Sequence, residues 1–200
     1  MSEFPDSQDK WRRASYALAS AGHHLSTQVQ FDGRIDILLR CWEKEFKDGF
    51  STSNEIDFSM GHYSSLSRYW VFSMYETVRA YVERIKTKEL TDDLTAKNLR
   101  DHFAKVRMPL AKFEISGTNK KSAPEISLIT NPPGIGEQPK KYERGDTSYY
   151  PVTEFDLSTG SIVWKVVVSN PPSQEQISRL SLSEKFLEIF SQRVPNVSGI

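Results

Sequence analysis

Apolar residues recur at steps of three and four through most of the first 115 positions. Trp11, Ala14, Leu18, Ala21, Leu25 and Val29 form one series, and Ile35, Leu38, Leu39, Trp42 and Phe46 form another. That spacing places each series on one face of a helix. At about 100° per residue the two stripes lie roughly a quarter-turn apart. The pattern therefore predicts a break or bend, placed at "FDGR" around Gly33, with one long curved helix over 8–47 as the alternative. Residues 48–63 hold two glycines and little periodicity, and read as a loop. In 64–88, Trp70, Val71, Met74, Tyr75, Val78, Tyr81, Val82 and Ile85 cover an arc of about 140°. The small residues Ser73, Thr77 and Ala80 beside that arc admit a close neighbour, so this helix is predicted to be central and the most buried. Arg68, Glu76, Arg79, Glu83 and Lys86 form its polar side, with Phe72 in their midst.

A further helix fits 91–115, where Leu99, Phe103, Val106, Leu110 and Phe113 step by four and three. Thr91 is its predicted cap, and Pro109 should kink or end it. Residues 116–148 are rich in Pro, Gly and Lys and read as a connector with one short strand in "EISLIT". The β-branched and aromatic runs of "YYPVTEFDLSTGSIVWKVVV" predict a hairpin that turns near Gly160. Ser173 and Gln176 stand at capping-box spacing, with a second candidate cap at Ser183, so one broken helix or two short ones should close the chain. The predicted fold is α+β: mainly a helical bundle of three to four long helices, with a small β-hairpin or three-stranded sheet and a C-terminal helix. Its parts are a bundle over 1–115, the connector over 116–148, and a hairpin plus helix over 149–200 that packs on the bundle as one unit.

Two hundred residues suffice for a sizeable core. Only 38% of them are apolar, but aromatics reach 12% and restore much of the burial potential. Lys plus Arg equals Asp plus Glu at 26 each, so no global field attracts nucleic acid or an anionic membrane. The single Cys41 excludes an internal disulfide, and "MSEFPDSQDK" lacks the basic and then apolar pattern of a secretion signal. A cytoplasmic address is the expectation. No apolar run approaches the roughly 18 residues of a membrane span.

Chemistry-bearing motifs are scarce. His23, His24, His62 and His102 match no zinc-binding spacing, and Cys41 has no histidine close in sequence. "NPPGIGEQ" lacks the third glycine of a dinucleotide loop and the Gly-Lys-Ser/Thr of a phosphate loop. No GxSxG elbow occurs. Arg144-Gly145-Asp146 and "NVS" at 196–198 read as coincidence in a cytoplasmic chain. No catalytic residue, metal ligand or cofactor is assigned.

The helical part, over about residues 8–115, resembles HEPN-like modules in architecture only. Their nuclease motif sets Arg four to six residues before a catalytic His, and the positions before His102 at that spacing are Thr95, Ala96 and Lys97. The expected function is a cytoplasmic, non-enzymatic protein-interaction or oligomerisation module, with a second copy of the chain or another protein as partner. Tyr69, Phe72, Arg68 and Arg79 are its candidate interface, because two rings and the stems of flanking arginines make an amphipathic patch. The alternative is a nucleic-acid-binding regulatory or defence protein that uses Arg100, Lys105, Arg107 and Lys112.

Overall fold

The computed structural model describes residues 3–49, 59–87, 93–112, 114–115, 125–126, 140–141, 151–169 and 172–193. Helix α1 (Pro5–Ala19) opens on a proline, whose missing N–H costs nothing at a first turn. It ends where Leu18 O accepts from both Ala21 N and Gly22 N, at 3.1 and 3.2 Å. Helix α2 (His23–Asp48) then runs back along α1. The break therefore lies at residues 20–22 and not at Gly33, which sits inside α2. Gly33 has a packing role instead. A Cβ there would stand 2.9 Å from Trp11 Cγ and Cδ2, so the missing side chain lets the two helices approach.

The second predicted stripe is also displaced. Leu38 is 45% exposed, and Ile35 and Trp42 are half-buried. The buried face of α2 carries Asp32, Asp36, Arg40 and Glu43 among Leu25, Val29, Leu39 and Phe46. Polar residues occupy the core side because other elements bring them partners.

Helix α3 (Ser59–Thr87) begins within the segment predicted as loop, and residues 50–58 lie outside the described residues. Its buried residues Trp70, Val71, Met74, Val78, Tyr81, Val82 and Ile85 follow the predicted arc, with Tyr75 half-buried at its edge. Helix α4 (Leu94–Lys112) continues three residues past the buried Pro109. Asp93 caps it by accepting from Ala96 N at 3.0 Å; the predicted cap Thr91 lies outside the described residues. Of the connector, the described residues are two short antiparallel strands, β1 (Glu125–Ile126) and β2 (Lys140–Lys141).

The C-terminal part holds a three-stranded antiparallel sheet in the order β3 (Val152–Asp156), β4 (Ser161–Ser169), β5 (Pro172–Ser178). The β3–β4 hairpin turns as predicted through Gly160, at φ 70°. A Cβ at that position would meet Glu43 O at 1.8 Å, so the turn is pressed directly onto α2. Residues 172–178 are a strand, against the helix expected from Ser173. Gln174 and Gln176 stay exposed while Ile177 is buried, and the whole segment pairs with β4 from Ser169↔Pro172 to Val163↔Ser178. Helix α5 (Arg179–Ser191) starts one residue later, capped by Ser178 Oγ, which accepts from Ser181 N at 3.0 Å.

Packing closes the helices into a ring: α1 on α2, α2 on α3, α3 on α4, and α5 between α4 and α1. Trp11 stacks on Phe186 at 5.1 Å, Phe186 meets Phe190 at 4.8 Å, and Phe190 meets Tyr81 edge-on at 5.0 Å. On the sheet side, Phe155 packs edge-on to Phe46 at 5.3 Å, and Ile162, Trp164 and Val166 point into the same core. No helix among the described residues is long and apolar enough to cross a membrane.

Candidate functional site

The strongest concentration of charge lies inside the molecule. Arg179, wholly buried at the first position of α5, donates from Nε and Nη2 to the two oxygens of Glu43 at 2.7 and 2.6 Å, and from Nη1 to Asp36. Arg40 reaches Asp36 Oδ2 from Nε at 2.7 Å, Ser183 Oγ at 2.9 Å and Glu184 at 2.7 Å. Trp11 Nε1 donates to Asp36 at 2.8 Å, and Tyr63 Oη donates to Glu43 at 2.8 Å while accepting from Ile162 N at 3.0 Å. The buried acids Asp36 and Glu43 thus balance the two guanidiniums in charge, with Glu184 at the exposed edge. Burial opposes ionisation of Asp36, but Arg179 and Arg40 outweigh it and hold its carboxyl below the usual range. Burial likewise opposes the charge on Arg179, and Asp36 and Glu43 outweigh that and raise its pKa. Such a hydrogen-bonded network fixes the arrangement of helices.

Asp32 differs. It is buried on α2 and accepts from Ser73 Oγ at 2.7 Å, Gln28 Nε2 at 3.3 Å and Thr77 Oγ1 at 3.5 Å, with no ion-pair partner among the described residues. Burial raises its pKa to about 6, against the downward pull of those hydrogen bonds.

Among the described residues, surface grooves lie beside the core. One, of about 400 Å³, runs between α1 and α2 over Trp11 and Gly33, with Arg12 and Arg34 on its rims. Another, of about 260 Å³, lies between α4 and α5 around His102 and Lys185. There Lys185 Nζ stands 3.0 Å from His102 Nε2. Burial, then the charges of Lys185 and Lys105, lower the His102 pKa to about 4, so the ring is neutral. Cys41 is half-buried, and burial together with the neighbouring Glu3 raises its thiol pKa. Among the described residues no group of three or more His, Cys, Asp and Glu is placed to hold a metal ion.

The exposed apolar surface has a clearer organisation. Helices α2 and α3 pack antiparallel, in a register set by Glu43 with Tyr63, Asp32 with Ser73, and Arg84 Nη1 donating to Ala21 O at 3.0 Å. That register sets Tyr69, which is 67% exposed, level with the Ile35–Leu38 turn of α2. Phe31 (52% exposed) and Leu38 (45%) stand two turns apart on the outer side of α2. Half-buried Ile35 and Trp42 fall by helical position on the α3 side of α2, and half-buried Leu66 on the α2 side of α3, with Trp42 edge-on to Tyr63 at 6.2 Å. The outcome is one apolar strip along the α2–α3 seam.

The sequence-derived candidates are distributed differently. Tyr69 belongs to this strip. Phe72 is half-buried against the core and lies under the Arg68 guanidinium, 5.6 Å away, while Arg68 Nη2 donates to Leu110 O at the end of α4. Arg79 is paired with Glu76 and Glu83 at 2.7 and 2.6 Å. Phe72, Arg68 and Arg79 therefore stand toward α4, apart from Tyr69. Of the basic set, Arg100 pairs with Asp101 at 2.6 Å and Lys105 bonds both Glu175 oxygens at 2.8 Å. Arg107 bonds Glu76 at 3.3 Å and lies over the Tyr75 ring at 5.0 Å, and Lys112 is exposed on the last turn of α4.

Sequence reasoning missed Phe31 and Leu38 as surface residues. The signal available was the row Asp32, Asp36, Glu43, which repeats at helical spacing and competes with Leu38 for the inward side of α2. No family model matches this chain, and neither curated protein sequences nor solved structures give a match.

Proposed function

We propose that the protein is a non-enzymatic interaction module that docks another protein on the outer face of α2 and α3. The observation that carries this reading is the strip formed by Phe31, Leu38 and Tyr69, three large apolar side chains about half or more exposed on the outer side of two packed helices. Aromatic rings gathered on a firm helical support are typical of binding surfaces, whereas singly scattered ones are not informative. The test is to purify the chain with whatever it carries and measure the mass of the assembly. A mass above that of one chain, lost in Leu38→Glu and Tyr69→Glu and kept in the sheet-surface control Thr153→Glu, supports the reading. An assembly that survives both substitutions, or a lone chain under every condition, overturns it.

A further inference from the structure

The outward row of α2 carries more than apolar groups. Arg34 and Glu45 are both exposed, and lie eleven residues apart on that row, which is three turns of helix with a rotation of only about 20°. Between them stand Leu38 and Cys41. Neither charge makes an ion pair within the chain among the described residues: Arg34 contacts the Phe31 ring at 5.8 Å, and the lysine beside Glu45, Lys44, is taken by Glu3 at 2.7 Å. Elsewhere on the helical surface, Asp9 with Arg13, Glu76 and Glu83 with Arg79, and Asp101 with Arg100 satisfy one another. An apolar centre with an uncompensated cation at one end and an uncompensated anion at the other is complementary to itself when reversed.

Resting on the interaction-module reading, we infer that the partner seated on this face is a second copy of the chain, with the two α2 helices packed antiparallel about a two-fold axis between Leu38 and Cys41. In this arrangement Arg34 faces Glu45 of the partner subunit and Glu45 faces the partner's Arg34, as the isologous contact of a two-fold dimer requires. Leu38 packs against the partner's Cys41, and Phe31, one turn beyond Arg34, is covered by the C-terminal turn of the partner helix. With helix axes about 8–10 Å apart, the two copies of Cys41 stand on the order of 10 Å from each other. That distance is within reach of a short bismaleimide.

Charge reversal distinguishes this register from any other. Arg34→Glu and Glu45→Arg, made singly, place like charges opposite one another at both ends, and each should weaken dimerisation by about tenfold. The double variant Arg34→Glu/Glu45→Arg restores two opposite-charge pairs and should return to within about threefold of the unaltered chain. Sedimentation equilibrium reads the dissociation constants, and bismaleimide treatment of the full chain reads Cys41 proximity. If the single reversals leave the dimer intact while Leu38→Glu abolishes it, the face is an interface but this pairing is wrong. If the assembly contains a different protein and never two copies of this chain, the second-copy assignment falls while the interaction reading stands. If Leu38→Glu changes nothing, the interaction reading itself fails.

Discussion

Arg179 holds Glu43 by two parallel hydrogen bonds, from Nε and Nη2 at 2.7 and 2.6 Å, across 136 residues of sequence. The guanidinium fork matches a carboxylate as no lysine can, and the remaining nitrogen reaches Asp36. A contact so distant in sequence ties the start of α5 to the middle of α2.

Removal of that fork leaves two buried acids with Arg40 as their remaining cation. Arg179→Met should therefore cost about 3–5 kcal/mol. Arg79→Met, by contrast, removes ion pairs from an arginine side chain that is 42% exposed and should cost at most about 1 kcal/mol. Urea unfolding of both variants checks the contrast, and equal losses would show that the buried network is not the tie described.

Gly33 and Gly61 both lie inside helices, and alanine should act on them with opposite sign. At Gly61 a Cβ meets nothing within 4 Å, so Gly61→Ala should stabilise by up to about 1 kcal/mol through helix propensity. At Gly33 the same Cβ meets the buried indole of Trp11 at 2.9 Å. The cost of overpacking, about 1–3 kcal/mol, then exceeds that gain. Thermal unfolding should place the two variants on opposite sides of the unaltered chain.

Much of the fold was legible because it rests on short-range periodicity. The α3 arc and the β3–β4 hairpin are written in local spacing, and the structure follows both. The misread elements depend on partners remote in sequence. Gly33 looks like a breaker until Trp11 is laid across it. Residues 172–178 carry helix-cap spacing, yet β4 offers an unpaired edge that the segment joins. The buried row Asp32–Asp36–Glu43 looks like a solvated face until Arg179, Tyr63 and Ser73 arrive. Among the candidate surface residues, Tyr69 could be read from the α3 wheel alone, but Phe31 and Leu38 required knowledge of which side of α2 the acids occupy.

Asp32 predicts a pH dependence. Its carboxyl has a pKa raised from 3.8 to about 6 in the folded chain, so the folded state binds the proton more tightly than the unfolded one. The associated stability is fully present below pH 3.8 and is lost as pH rises through 6. A shift of about two units corresponds to roughly 3 kcal/mol at neutral pH. Asp36 and Asp93, whose pKa values are lowered, act in the opposite direction at more acidic pH. Asp32→Asn isolates the effect: its stability relative to the unaltered chain should grow between pH 4 and pH 6.5 and then level. A difference that does not change with pH would refute the assignment.

Ser67 is buried on the core side of α3, and its hydroxyl has no hydrogen-bond partner among the described residues. A buried hydroxyl left without a partner carries a desolvation penalty of about 1–3 kcal/mol. Ser67→Ala should therefore raise the unfolding free energy by about 1 kcal/mol. A loss of stability would place an ordered water or a further partner at this hydroxyl.

The span between Glu43 and Arg179 bears on how closure of the helices is coupled along the chain. The acids of α2 precede by more than 130 residues the guanidinium that balances one of their two charges. Without α5 in place, closing α1, α2 and α3 on one another would seal Asp36 and Glu43 away from water with Arg40 as their main counter-charge. Docking of α5 is therefore expected to be coupled to closure of the N-terminal helices, with Arg179 as the latch.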